Sequence, residues 1–139
     1  MATLTATAAQ STVPAKYRVN GTITRVVDYT VNPALSAGDV IQMMRVPNGA
    51  CIVDVKFASD LFGGGNATIT GVGDGNSANR YIGSASTSNS IATVISMSSS
   101  GLGYSYSAED TIDITIGTVT SASAVGTLRL AVAYTMDNQ

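Results

Sequence analysis

The chain has 139 residues, 12% of them charged and 45% hydrophobic, with a formal net charge of −2. That is one domain's worth of chain with enough apolar side chains to fold, and its seven scattered Lys and Arg residues form no basic stripe for direct binding of nucleic acid. Histidine and tryptophan are absent and cysteine occurs once, which excludes His-based acid–base catalysis, His–Cys zinc sites and an intrachain disulfide.

Residues 1–20 are rich in Ala and Thr and show no alternation of apolar and polar side chains. They read as an extended N-terminal arm that orders where something supports it, with Leu4 and Tyr17 as its candidate contact residues. The same stretch lacks the basic start and apolar run of an export signal. Nowhere do about 18 apolar residues run unbroken, so no membrane-spanning helix is expected and the protein reads as soluble.

Residues 21–139 read as a single domain. Gly, Ser, Thr and β-branched residues recur too often for an apolar stripe at helical spacing, and period two takes over. In chain order the expected strands are Thr22–Val31, Asp39–Val46, Cys51–Phe57, Ala67–Val72, Arg80–Ser84, Ile91–Met97, Leu102–Tyr106, Thr111–Ile116 and Thr127–Thr135. In Cys51–Phe57 the alternation sends Cys51, Val53, Val55 and Phe57 inward and Asp54 and Lys56 outward. In Thr111–Ile116 the three isoleucines point inward, and in Thr127–Thr135 so do Leu128, Leu130, Val132 and Tyr134. Pro14, Pro33 and Pro47 all fall between strands, and Pro47-Asn48-Gly49 is a turn. Asp60–Ser90, with its glycine clusters, reads as long exposed loops around a short strand, and Leu61 and Phe62 are its candidate contact residues.

Short strands at regular spacing with no helices between them predict an all-β fold, an antiparallel β-sandwich of jelly-roll type. The 17 Thr and 16 Ser make its polar faces mostly hydroxyl. With few Lys or Pro residues to blunt the sheet edges, such a body invites assembly.

No residue set carries chemistry. Gly71-Val72-Gly73-Asp74-Gly75-Asn76 has the wrong glycine spacing for a nucleotide loop and opens no helix. Asp74, Asn76 and Asn79 lack the acidic alternation of a calcium loop, so the segment reads as a turn. Glu109, Asp110 and Asp113 read as solvated carboxylates; a hydrolase would need them as a pair with one raised by burial. No Gly-x-Ser-x-Gly elbow is present, and of the two lysines that could serve a serine nucleophile, Lys16 and Lys56, the latter lies on a solvent face. Cys51 reads as a small buried hydrophobe. The sequons at Asn20 and Asn66 carry no weight without an export signal. Tyr104 and Tyr106 stand beside glycine-rich turns, either as anchors for a partner or as lining of a core face. No cofactor or metal is expected.

Leu35-Ser36-Ala37-Gly38-Asp39-Val40-Ile41, Val46-Pro47-Asn48-Gly49-Ala50-Cys51-Ile52-Val53-Asp54-Val55, Gly71-Val72-Gly73-Asp74 and Arg80-Tyr81-Ile82 form a series. It resembles the small jelly-roll cement, or decoration, proteins of tailed bacteriophages. The resemblance implies a virion protein without catalysis on the outer capsid surface, made in the host cytoplasm. Such a protein bridges neighbouring major capsid subunits against internal DNA pressure. Its partners would be the major capsid protein and itself, as a dimer or trimer, with no membrane. The competing expectation is a tail or fibre module that binds a glycan or another virion protein through Tyr104, Tyr106 and the loops.

Overall fold

The computed structural model describes residues 1–10, 21–31, 35–60, 67–86, 94–119 and 126–136, Ala8 through its backbone only. Its strands are β1 (Thr3–Thr5), β2 (Thr22–Val31), β3 (Val40–Val46), β4 (Ala50–Ser59), β5 (Thr68–Asp74), β6 (Ser77–Ile82), β7 (Ala85–Ser86), β8 (Ile95–Ser96), β9 (Asp110–Ile116) and β10 (Gly126–Met136). One helical turn, α1, covers Thr7–Gln10, and a 3-10 turn covers Ser99–Gly101. Among the described residues no helix is long and apolar enough to cross a membrane.

Two sheets form the sandwich that the alternation requires. One runs β1-β3-β9-β5-β6 with β7 beside β5, and the other runs β2-β10-β4-β8. Every pairing is antiparallel except that of β1, which adds to β3 in parallel. The pairs β2·β10, β3·β9, β4·β8 and β5·β6 are nested one inside the next. This is the order of a long two-stranded ribbon rolled into two layers, a β-sandwich.

The core lies between the sheets. Ile112, Ile114 and Ile116 of β9 face Leu128, Leu130, Val132 and Tyr134 of β10, and all are 1% exposed or less. At roughly 1.5–3 kcal/mol per buried aliphatic side chain, this inward set supplies the main drive for closing the layers.

Two bulges shift the phase of the alternation. In β4 the partner of Ala133 is Asp54 and that of Tyr134 is Ile52, so Val53 has no partner and is the extra residue. Ile52, Val55 and Phe57 therefore point inward, while Val53 is 39% exposed and Cys51 is half-buried. The strict alternation placed Cys51 and Val53 inward, and the bulge reverses both. In β3 the register skips Met43, so Met43 and Met44 are both fully buried.

The expected loop region Asp60–Ser90 instead holds the β5–β6 hairpin. Asp74 pairs with Ser77 and Val72 with Ile82, so β6 carries extra residues that arch over β5. A Cβ on Gly73 would lie 1.9 Å from the Ser77 carbonyl oxygen, and one on Gly71 would lie 2.8 Å from that of Ala78. Glycine at both positions is what lets the arch close. The expected strand Leu102–Tyr106 is an extended segment rather than a strand. It bonds to the β3–β4 turn and the start of β4 through Gly103 N to Ile52 O, Ile52 N to Tyr104 O, Tyr106 N to Ala50 O and Gly49 N to Tyr106 O, with one bridge at Cys51 and Ser105. Of the expected strand Ile91–Met97, residues 91–93 lie outside the described residues and Ile95–Ser96 forms β8.

The first ten residues dock on the sandwich. β1 pairs with β3, Ala6 N donates to Gln42 O, and Ala6 and Ala9 are buried. The Ala2 amide donates to Asp39 Oδ1 at 2.9 Å and Arg45 Nε to Ala9 O at 3.1 Å. The Ser36 and Ala2 amides hold the Asp39 carboxyl below its ordinary value.

Candidate functional site

A cluster of hydrogen-bonded polar side chains lies at one end of the sheet that carries β9, where the β5–β6 hairpin meets the segment between the 3-10 turn and β9. Asp74 closes β5, and its Oδ1 accepts the amides of Asn76 and Ser77, both at 3.0 Å, which builds the turn. Arg80 returns along β6 and donates from Nε to Asp74 Oδ2 at 2.5 Å. Its guanidinium carbon lies 3.7 Å from the centre of the Tyr104 ring. Tyr104 meets Tyr106 edge to face, with centroids 5.1 Å apart.

The chain of donors has a fixed direction. Tyr106 OH donates to Asp74 Oδ2 at 3.2 Å, so the 2.5 Å contact between Tyr81 OH and Tyr106 OH has Tyr81 as donor. Burial alone would raise the Asp74 carboxyl, but the bond from Arg80 and the two amides hold it below the ordinary range. Burial pushes both Tyr81 and Tyr106 well above the ordinary phenol value. Asp74 is thus ionised and paired, and both phenols keep their protons. Every group is occupied by its neighbour, so the cluster braces the hairpin and leaves no base or nucleophile to attack a substrate.

The 3-10 turn is pinned to the same hairpin. Ser98 N donates to Tyr81 O at 2.8 Å and Ser100 Oγ to Arg80 O at 3.2 Å. Asp74→Asn is expected to lower the unfolding free energy by roughly 2–4 kcal/mol, because it strips the countercharge from a guanidinium whose side chain is only 20% exposed. Chemical denaturation checks this, and a loss below about 1 kcal/mol would show the brace to be ornamental.

Two open clefts flank this corner and share Glu109 and Asp110. One, of about 310 Å³, lies beside Tyr104, Tyr106 and Asn76. The other, of about 440 Å³, lies between α1 and the sheet and is lined by Thr5, Gln10, Gln42, Arg45 and Thr111. Among the described residues no three of His, Cys, Asp and Glu are placed to hold a metal ion. Asp74, Asn76 and Asn79 form part of the hairpin, as the turn reading requires.

Asp113 departs from expectation. It points to the outer face of its sheet, as alternation demands, yet it is 7% exposed and its Oδ1 has no hydrogen-bond partner. Its neighbours in register are Gln42 and Gly73, the latter under the β6 arch. Burial, with the charges of Asp110 and Asp74 adding to it, raises its carboxyl to about 6. The reading of Asp113 as a solvated carboxylate is therefore corrected: the arch removes the water. Glu109 is exposed and Asp110 half-buried, with Asp110 Oδ1 accepting its neighbour's amide from Thr111.

Of the candidate contact residues, Leu4 is half-buried and packs on the core. Tyr104 is half-buried, one face taken by Arg80, and Tyr106 is 4% exposed. Tyr17, Leu61 and Phe62 lie outside the described residues. Tyr81, the fully buried member of the brace, was not singled out by sequence reasoning. Its signals were its place beside Arg80 on an expected strand and in the Arg80-Tyr81-Ile82 motif.

No protein-family model matches the chain, and no curated protein matches it. Solved structures that contain a chain of similar fold include three phage capsids. The capsid of Ralstonia phage GP4 has one at 17% identity and a TM-score of 0.80, covering 99% of each chain. The cyanophage Pam1 capsid asymmetric unit has one at 23% identity and 0.69, covering 92% of this chain and 95% of that one. The acidic stable capsid structure of Helicobacter pylori bacteriophage KHP30 has one at 10% identity and 0.55, covering 86% and 98%. At such identities the likeness is one of fold, and this rolled sandwich is the fold the chain shares, nearly end to end, with chains of those three capsids.

Proposed function

We propose that the chain is a structural protein of a bacteriophage particle, a cement protein on the outer surface of the shell that bridges neighbouring major capsid subunits. The observation that carries this reading is the match in fold and extent to a capsid chain of Ralstonia phage GP4, 99% of each chain. The residues of the brace support it, since Asp74, Arg80, Tyr81 and Tyr106 are spent on one another, and the raised carboxyl of Asp113 is covered to 7% exposure. In this reading the protein is not an enzyme. The docked segment 1–10, the two clefts at Glu109 and Asp110, and Tyr17, Leu61 and Phe62 are the proposed contacts. Many such weak contacts, repeated around a shell, act together.

The glycan-binding alternative is less well supported. Sugar recognition needs an open aromatic face, and Arg80 covers one face of Tyr104 while Tyr106 is buried.

The test adds purified protein to expanded empty capsids of the phage that encodes it. Saturable co-sedimentation and a higher temperature of capsid rupture are expected. Capsids that neither bind the protein nor gain heat resistance would overturn the reading.

A further inference from the structure

Sheet edges are where a β protein controls what it pairs with. β1 has three residues and β8 has two, while β6 arches away from a regular ladder. β2 differs from all of these. It runs for ten residues in unbroken register with β10, without proline, lysine or bulge. Among the described residues no strand pairs with its other side. Near its middle Val26 is 68% exposed, more than Val53, Val94 or Leu102.

We propose that β2 pairs antiparallel with β2 of a second copy about a two-fold axis at Val26, joining two four-stranded sheets into one of eight strands. The symmetry and the charges fix the register. Residues opposite each other across an antiparallel pair share a face, so a two-fold axis passes through a residue and not between two. An axis at Arg25 sets guanidinium against guanidinium, and one at Asp28 sets carboxylate against carboxylate. An axis at Val27 sets each Val26 against the Asp28 carboxylate of the other copy. Axes further out shorten the overlap to about half the strand.

The axis at Val26 sets the two valines together, covering the exposed apolar side chain near the middle of the strand. It places each Asp28 opposite a Thr24 hydroxyl and each Ile23 opposite Tyr29, an aromatic and β-branched pair, while the valine that meets a charged residue is Val27, opposite Arg25 on the inward face rather than in the exposed row. Asp28 also keeps its contact with Arg129, 3.6 Å away on β10 of its own chain. One strand pair buries little area, so the dimer is weak in free solution and gains where copies are held side by side. The inference needs only that edge, on which no described strand pairs, and stands apart from the shell reading.

The test uses the full chain with Cys51→Ser to remove the native thiol. In that background Val26→Cys is compared with Leu102→Cys, which is 62% exposed but far from the edge in sequence and fold. Under mild oxidation Val26→Cys is expected to form a covalent dimer at least about tenfold faster than Leu102→Cys. In the native background Val26→Lys is expected to melt at the wild-type temperature, since the side chain is exposed, yet to lose the dimer seen by sedimentation at high concentration. Equal cross-linking rates, or a Val26→Lys chain that dimerises like wild type, would overturn the proposal. Failure to bind capsids with the cross-link intact would count against the shell reading alone.

Discussion

Asp113→Asn is expected to raise the unfolding free energy at pH 7 by about 1–3 kcal/mol, and to flatten the dependence of stability on pH between about 4 and 6. The wild-type carboxyl sits at about 6 when folded against an ordinary value of 3.8, so the folded state binds its proton more tightly than the unfolded state does. Wild-type stability therefore falls as pH rises through that window and is lower by a constant amount above it. At about 1.4 kcal/mol per pH unit the upper bound is about 3 kcal/mol. Asparagine removes the charge and keeps the shape, but its amide still needs partners, which lowers the gain.

Asp39 and Asp74 act in the opposite sense. Both are held below the ordinary carboxylate value, so their contribution is present above it and is lost as pH falls through their folded values. The wild-type chain should be most stable near pH 4, between the two windows. Melting curves across the acid range for both chains check this. The idea fails if Asp113→Asn leaves both the neutral melting temperature and the acid slope unchanged.

Gly73→Ala is expected to cost at least about 3 kcal/mol, or to prevent the hairpin from closing. The new methyl would meet backbone atoms of Ser77 and Ala78, which cannot swing aside as a side-chain end can. Opening the arch would also separate Arg80 from Asp74 and let water reach Asp113, so the brace would be lost with the turn. Gly83→Ala is the control, because nothing lies within 4 Å of its added Cβ. It should be neutral or slightly stabilising, since alanine restricts the unfolded chain. Equal stability of the two variants, read by denaturant unfolding, would show that the arch does not depend on glycine.

The fold was legible wherever alternation runs without interruption. β9 and β10 bury each inward residue that their pattern marks, and β2 has the expected bounds Thr22–Val31. Alternation failed where one residue was added. The Val53 bulge looks like any other step in sequence, because the decision is made by the register of β10 across from it. Glycine-rich sequence misled in a related way. Gly71 and Gly73 resemble loop residues, but they are strand positions emptied of side chains so that β6 can cross over them.

The candidate site was hidden for the same reason. Alternation sends Asp113 outward, and only the arch, formed by residues far away in sequence, makes outward mean buried. The brace joins Asp74, Arg80 and Tyr81 to Tyr104 and Tyr106 across the stretch of chain that carries β7, β8 and the 3-10 turn. The tyrosines were visible as candidates, but their role depends on partners that spacing does not reveal.

The nesting of the strands bears on how a newly made chain reaches its native state. β10 is the central partner of both β2 and β4, so that layer has no middle until residue 136 has been synthesised. During translation, β2 waits beside the ribosome with its apolar positions uncovered until β10 emerges. Closure of that layer must then wait until β10 has been made. Speed of expression and access to chaperones, more than the strength of any one contact, should govern the yield of folded protein.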